Sequence, residues 1–196
     1  MEEPGVLGVD AVEEASSCAR EGIASERKTL SSYISALEAL YLVETVAPWA
    51  KTDYDRVGKH PKLFMSDTGM MAALLNWRPE QVPLDSDLAG KLFETFAYNE
   101  LSAQIDTHDN VYRLHHYRDR EKREIDFLIE REDQALLGIE VKSGATVKGR
   151  DFRHLRWFAG NFAKSRPFTG VVLYAGEAVV PFGEGMWAVP FSALWA

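Results

Sequence analysis

The sequence predicts an α+β protein in two parts, a helical pair with two short strands to about Arg78 and an α/β domain over residues 79–196. Three observations predict it. Apolar residues recur at helical spacing on both sides of Gly22, two strand-type runs follow, and an amphipathic helix then precedes three further strand-type runs. With 46% apolar residues, including 10 Phe, 7 Tyr and 5 Trp among 196, the chain can bury a core and is not dominated by disorder.

Val12–Glu21 reads as a short helix with Val12, Ala15, Cys18 and Ala19 on one side. Gly22 breaks it, and Ser25 is suited to cap the next helix, Glu26–Leu40. That helix carries Leu30, Tyr33, Ile34, Leu37 and Leu40 on one face, which makes a helix-turn-helix pattern. A strand over Tyr41–Val46, a polar excursion over Lys51–His60 and a strand over Lys62–Met65 resemble the wing of a winged-helix domain, so residues 1–78 are expected to be winged-helix-like. Its cations are few, mainly Arg27 and Lys28. Asp67-Thr68-Gly69 has the letters of an aspartic protease, but that chemistry needs two facing carboxylates and the triplet occurs once. A helix-forming run starts at Met70, so Asp67 is expected to be an N-cap. Arg78–Gly90, with two prolines, is the expected linker.

Net charge is −8, which argues against a chain that binds nucleic acid over its whole surface. Residues 1–50 hold 9 acidic and 3 basic side chains, whereas residues 111–156 hold 11 basic and 9 acidic ones. Half of the 22 Lys and Arg therefore fall in one segment, which is expected either to face a polyanion or to be an ordinary solvated surface of mixed charge. No apolar run reaches the roughly 18 residues of a membrane span. A lone Cys18 leaves no intrachain disulfide, and with no secretory signal the expected location is the reducing cytoplasm.

In the second part, Gly90–Ile105 should bury Leu92, Phe93, Phe96, Ala97 and Leu101, with Glu94 beside that stripe and Glu100 a second carboxylate of interest. Strands are expected over Val111–Tyr117, Glu124–Glu130 and Leu136–Val141, and a helix over Arg150–Lys164. Side chains alternate along a strand, so Glu140 and Lys142 share a face. A hairpin turning at Arg131–Ala135 can bring Asp126 beside Glu140, provided the register does not slip by one. Two carboxylates on neighbouring strands suit Mg²⁺ or Mn²⁺, and a nearby lysine can hold a water or a phosphate oxygen. Asp126-x13-Glu140-x-Lys142, with Glu94 on the preceding helix, is the PD-(D/E)xK nuclease pattern. A salt-bridged, half-exposed hairpin is the plain alternative. Arg150, Arg153, His154 and Arg156 are cations for phosphates or a solvated helix face. His115-His116 reads as one side chain inward and one outward, with a second metal site as the other option. Trp187, Phe191, Leu194 and Trp195 are expected in the core or at a partner-facing edge.

The runs SSCAREGIASERKTLSSYISALEALYLV, KLFMSDTGMMAALL, GKLFETFAYNEL, REIDFLIE, GIEVKSG, DFRHLRWFAG and VVLYAGEAVVPFGEGMWAVPFSALW together resemble the C-terminal region of a prokaryotic family of predicted AAA+-type ATPases. In that family a P-loop ATPase domain is followed by a winged helix and a domain of unknown function with a PD-(D/E)xK nuclease-like core. The resemblance runs from about Ala15 to Ala196 and implies a restriction-endonuclease-like α/β domain over 79–196. It places Asp126, Glu140 and Lys142 at the family's D and ExK positions and Glu94 at the glutamate of its first helix. It further implies a Mg²⁺- or Mn²⁺-dependent DNA endonuclease site, with Asp126 and Glu140 as metal ligands. DNA contacts are expected from Lys28, Arg150, Arg153 and Arg156. No G-x-x-x-x-G-K-[ST] occurs, so ATP hydrolysis does not carry over and a P-loop ATPase domain or chain is the implied partner. The first 14 residues depart from the family. Two other readings stand beside the enzyme: a non-catalytic DNA- or protein-interaction module on the same scaffold, and a homo-oligomerising half that assembles ATPase rings.

Overall fold

The computed structural model describes residues 28–52, 60–109 and 111–195. The expected helix Val12–Glu21, Gly22, Ser25, Cys18 and most of the expected wing tip lie outside these. The chain divides into two compact units, Met1–Val43 and Glu44–Ala196. Strands β1 (Val43–Val46) and β2 (Lys62–Met65) pair with each other, and all but Val43 falls in the second unit. In the first unit, α1 spans residues 28–39, within the expected Glu26–Leu40. Its Leu30, Tyr33 and Leu37 are exposed, as is Lys28.

In the second unit, α2 (Thr68–Leu74) starts where Asp67 accepts the Met70 N–H, so the capping role read from the sequence is met. The expected linker is more ordered than its prolines suggest. It forms a 3₁₀ turn over Val82–Leu84, and α3 (Ser86–Thr107) begins four residues before Gly90. Asp85 accounts for that early start, because its carboxylate accepts the Asp87 and Leu88 N–H groups at 3.0 and 3.1 Å. The strands that follow are β3 (Tyr112–Arg118), β4 (Glu124–Arg131), β5 (Leu136–Lys142), β6 (Phe168–Tyr174), β7 (Val180–Pro181) and β8 (Met186–Pro190). A 3₁₀ turn over Gly149–Phe152 leads into α4 (Arg153–Phe162), between β5 and β6.

The strands build one six-stranded mixed sheet in the order β3-β4-β5-β6-β8-β7, separate from the β1-β2 hairpin. β3, β4 and β5 run antiparallel, and β5, β6 and β8 run parallel. A parallel step needs a crossover, and α4 supplies it between β5 and β6. The sheet is apolar on both faces. On one, Leu128, Leu136 and Val172 meet Leu155 and Phe158 of α4, and Trp49 packs edge-on to Phe158 at 5.1 Å. On the other, Phe127, Ile139 and Leu173 meet Ala97, Tyr98 and Leu101 of α3. Phe64 of β2 stacks on Tyr98 at 4.5 Å and packs against Phe127 at 5.5 Å, which seats the hairpin beside α3.

Gly138 and Gly170 are register partners on β5 and β6, below α4. A Cβ on Gly138 would stand 2.8 Å from Leu155 Cδ2 and 2.9 Å from Phe168 Cζ. Leu155 is fully buried and has nowhere to retreat. Gly138→Ala should therefore lower unfolding free energy by about 1–3 kcal/mol in urea titrations. Gly160→Ala, at an exposed position of α4 with nothing within 4 Å of the added carbon, should instead raise it by up to about 1 kcal/mol.

Candidate functional site

β3 advances by two residues from His115 to Tyr117 while β4 advances by three from Leu128 to Ile125, so β4 carries one extra residue around Asp126 and Phe127. Such a bulge re-aims the side chains next to it. It explains why Ile125 and Leu128 join the core under α4 while Phe127 joins the core under α3. The extra residue leaves β3 itself alternating, with Tyr112 and Leu114 in one core and Tyr117 in the other. Yet His115 and His116 are both buried because both faces of the sheet are covered, so the histidine expected to point outward meets packed protein. The second edge of β3 is covered there by the segment around Pro48, with Trp49 N donating to His116 O at 2.7 Å.

Toward the same end of the sheet, the β4–β5 pairing runs only to Phe127↔Ile139. Beyond it, Asp126 Oδ2 accepts the Val141 N–H at 2.9 Å, so a carboxylate replaces the missing rung of the ladder. The mouth left by this splay is a cleft of about 460 Å³, lined by Glu94, Asp126, Glu140 and Lys142 together with Glu124, Lys62's partner on β4. α3 contributes Glu94, β4 Glu124 and Asp126, and β5 Glu140 and Lys142. The candidates Glu94, Asp126, Glu140 and Lys142, up to 48 positions apart in the sequence, all line this one cleft. Glu100 does not, since it accepts the indole N–H of Trp195 at 2.8 Å.

Lys62 and Glu124 were missed. Lys62 Nζ lies 2.7 Å from Glu94 Oε1, 2.7 Å from Glu124 Oε1 and 3.5 Å from Asp126 Oδ1. A faint signal existed for each. Lys62 lies two residues before Phe64 on a strand, and Glu124 two before Asp126, so each pair is a candidate for one face.

The acids are unequally neutralised. Burial pushes the Glu140 carboxyl up to about 9, helped by the charges of Asp126 and Glu124 and only partly offset by Lys142 and Lys62. Glu94 is raised by burial and by Asp126, against the pull of Lys62. Burial also raises Asp126, with Lys62 and the Val141 N–H opposing. For Glu124, burial is outweighed by the Lys62 hydrogen bond and charge, which hold it below the ordinary carboxylate range. Burial works against the charge on Lys62, but Asp126, Glu94 and Glu124 prevail and raise its pKa.

His154 of α4 closes one side of the cleft. Its Nδ1 lies 2.9 Å from the Glu124 carbonyl and its Nε2 accepts from Arg153 Nε at 3.0 Å, an arrangement met by the Nδ1–H tautomer. Glu140 Oε1 is 3.7 Å from that Nδ1, is itself buried, and has no hydrogen-bond partner among the described residues. A second hollow of about 440 Å³ shares Glu140, Lys142 and His154 with the first and is lined by Arg150, Asp151 and Arg153. Lys91 and Lys122 line the first hollow, so cations flank the acids. Arg156 is placed elsewhere: its guanidinium donates to the carbonyls of Gly149 at 2.6 Å and Phe182 at 2.8 Å. Lys28 lies in the other unit.

Among the described residues no group of three or more His, Cys, Asp or Glu side chains is spaced to hold a metal ion. Mg²⁺ does not require one, since it commonly takes one or two carboxylates and completes its shell with water and phosphate oxygens. The orphaned Glu140 oxygen and the oxygen-only donor set of Glu140 and Asp126 fit such an ion. No helix among the described residues is long and apolar enough to cross a membrane.

The family model described as Domain of unknown function (DUF4143) matches residues 89–194, and the one described as Domain of unknown function (DUF8612) matches residues 13–81. No curated protein matches the chain. Among solved structures, a chain of the refined half-complex from the tetradecameric assembly of Thermococcus gammatolerans McrB AAA+ hexamers with bound McrC is similar at 11% identity and a TM-score of 0.38. The likeness covers 52% of this chain and 27% of that one. The first match takes in more than half of the chain and contains Glu94, Asp126, Glu140 and Lys142, and on that match the chain belongs to the DUF4143 family.

Proposed function

We propose that the cleft is a DNA-handling site of the PD-(D/E)xK type, built for Mg²⁺- or Mn²⁺-dependent hydrolysis of a phosphodiester. The observation that carries this reading is the convergence of Glu94, Asp126, Glu140 and Lys142 on one cleft at the splayed end of β4 and β5. Asp126 and Glu140 would hold the ion, which when bound supplies Lewis-acid polarisation of a phosphate oxygen and a more acidic water. Lys142 shares the face of Glu140 and is suited to hold the attacking water or a phosphate oxygen. Lys91, Lys122, Arg150 and Arg153 line the two hollows and would neutralise the phosphates of a strand crossing them. The resemblance to AAA+-type ATPases makes a P-loop ATPase domain the partner this reading implies.

One observation favours a second reading. The ammonium of Lys62 already sits on Glu94, Glu124 and Asp126, as it would in a non-catalytic interaction module that stabilises its acids without a metal.

Incubation of the chain with single-stranded, duplex and branched DNA in Mg²⁺ or Mn²⁺ separates the two. The hydrolytic reading expects divalent-dependent nicking that falls by about 100-fold or more in Asp126→Ala and in Lys142→Ala. Absence of cleavage on every substrate, with salt-sensitive binding that ignores Lys142→Ala, selects the module.

The acids also carry a cost visible in stability. Glu140 binds its proton more tightly folded than unfolded, so between about pH 4.5 and 9 the folded state holds more protons and stability declines as pH rises. Glu140→Gln should therefore raise the melting temperature of metal-free protein at pH 8, and the gain should shrink toward pH 4.5. A gain that is flat with pH would mean that the carboxyl is not the source.

A further inference from the structure

Lys62 has no place in the Asp-x13-Glu-x-Lys spacing, yet it provides the cation nearest to three of the four acids. An ammonium has three N–H donors, and three carboxylates surround this one: Glu94 and Glu124 at 2.7 Å and Asp126 at 3.5 Å. The side chain is only 21% exposed, and two residues along β2 Phe64 is stacked on Tyr98 and packed against Phe127. The ammonium is therefore anchored by strand, helix and sheet at once. Glu140 stands apart, in no ion pair with Lys62, and its Oε1 is the cleft's unpartnered oxygen among the described residues.

We propose that Lys62 is the resident second cation of the cleft, its ammonium filling the position bounded by Glu94, Glu124 and Asp126 and leaving one position, beside Glu140 and Asp126, for a divalent ion. The inference rests on reading the cleft as a divalent-cation site. Charge balance supports it. Leaving aside the exposed Lys91, paired with Asp87, and the exposed Lys122, Lys62 and Lys142 already offset two of the four carboxylates of Glu94, Glu124, Asp126 and Glu140. One divalent ion therefore completes the balance, and a second would leave an excess of positive charge. Glu94 is then a positioning residue for Lys62 and not a ligand of the metal.

Counting bound Mn²⁺ by electron paramagnetic resonance in the full chain tests this. Lys62→Met should bind one more ion than the wild type, Lys62→Arg the same number as the wild type, and the wild type one. Equal counts in Lys62→Met and wild type overturn the proposal, as does a wild type that binds two. A wild type that binds none while Lys62→Met binds one sinks the hydrolytic reading and supports occupancy of the second position by the ammonium. Should Lys62→Met fail to fold, the wild type alone decides through the ¹⁵N resonance of the Lys62 ammonium. That signal should persist at saturating Mg²⁺, and its disappearance into solvent exchange overturns the proposal.

Discussion

Four carboxylates within one half-buried cleft repel one another and lose hydration, and the second unit is organised around relieving that. Relief is unequal, and Glu94 and Glu124 share theirs in the Lys62 ammonium. Glu124 is held ionised by the Lys62 ammonium, Asp126 receives the Val141 N–H as well as that ammonium, and Glu140 keeps a proton well past the usual carboxylate range. These answers need groups from β2, α3, β4 and β5 within hydrogen-bonding reach of one point. The packing supplies this, because Phe64, Tyr98 and Phe127 lock the first three elements together one layer below the charges. A cluster retained at such electrostatic cost is more readily understood as a place where charge is used than as a stabilising ion pair.

The splay of the central hairpin is what makes the cleft. Continued pairing past Phe127↔Ile139 would place Asp126 opposite Glu140 and give the Val141 N–H to the backbone of Ile125. The extra residue in β4 and the Asp126 side-chain bond to Val141 instead open the sheet at its end, and the freed N–H is not left unpaired. The same bulge redistributes Ile125, Phe127 and Leu128 between the two cores, so the geometry of the acids and the allocation of core residues have one cause.

Much of this second unit was legible in the residues. The strands at 112–118, 124–131 and 136–142 and the long α3 were readable because apolar runs of strand length and an apolar stripe at helical spacing are local signals. Asp67 was readable as a cap because the helix formers follow it at once. Asp126, Glu140 and Lys142 were found as a spacing, and the structure adds the register. The early start of α3 was not legible, since Pro79 and Pro83 masked the Asp85 cap within what read as a linker. At His115-His116 alternation held but outward did not mean solvent, because cover on the second face of the sheet is supplied by distant parts of the chain and leaves no mark on the strand. Lys62 escaped for a related reason: its meaning depends on which helix and which strand its hairpin lies against, a tertiary fact.

The paired glycines under α4 tie the remote core to the chemistry. With no side chain at Gly138, Leu155 descends onto the sheet, and His154, its neighbour, is thereby held within reach of the Glu124 carbonyl and the Glu140 oxygen. A methyl group slipped beneath that helix would act as a shim, lifting Leu155 and, with the same turn of helix, the imidazole of His154 without touching any of the acids. Tolerance for volume in the interior and alignment at the mouth are thus one mechanical property, set at the single glycine of β5.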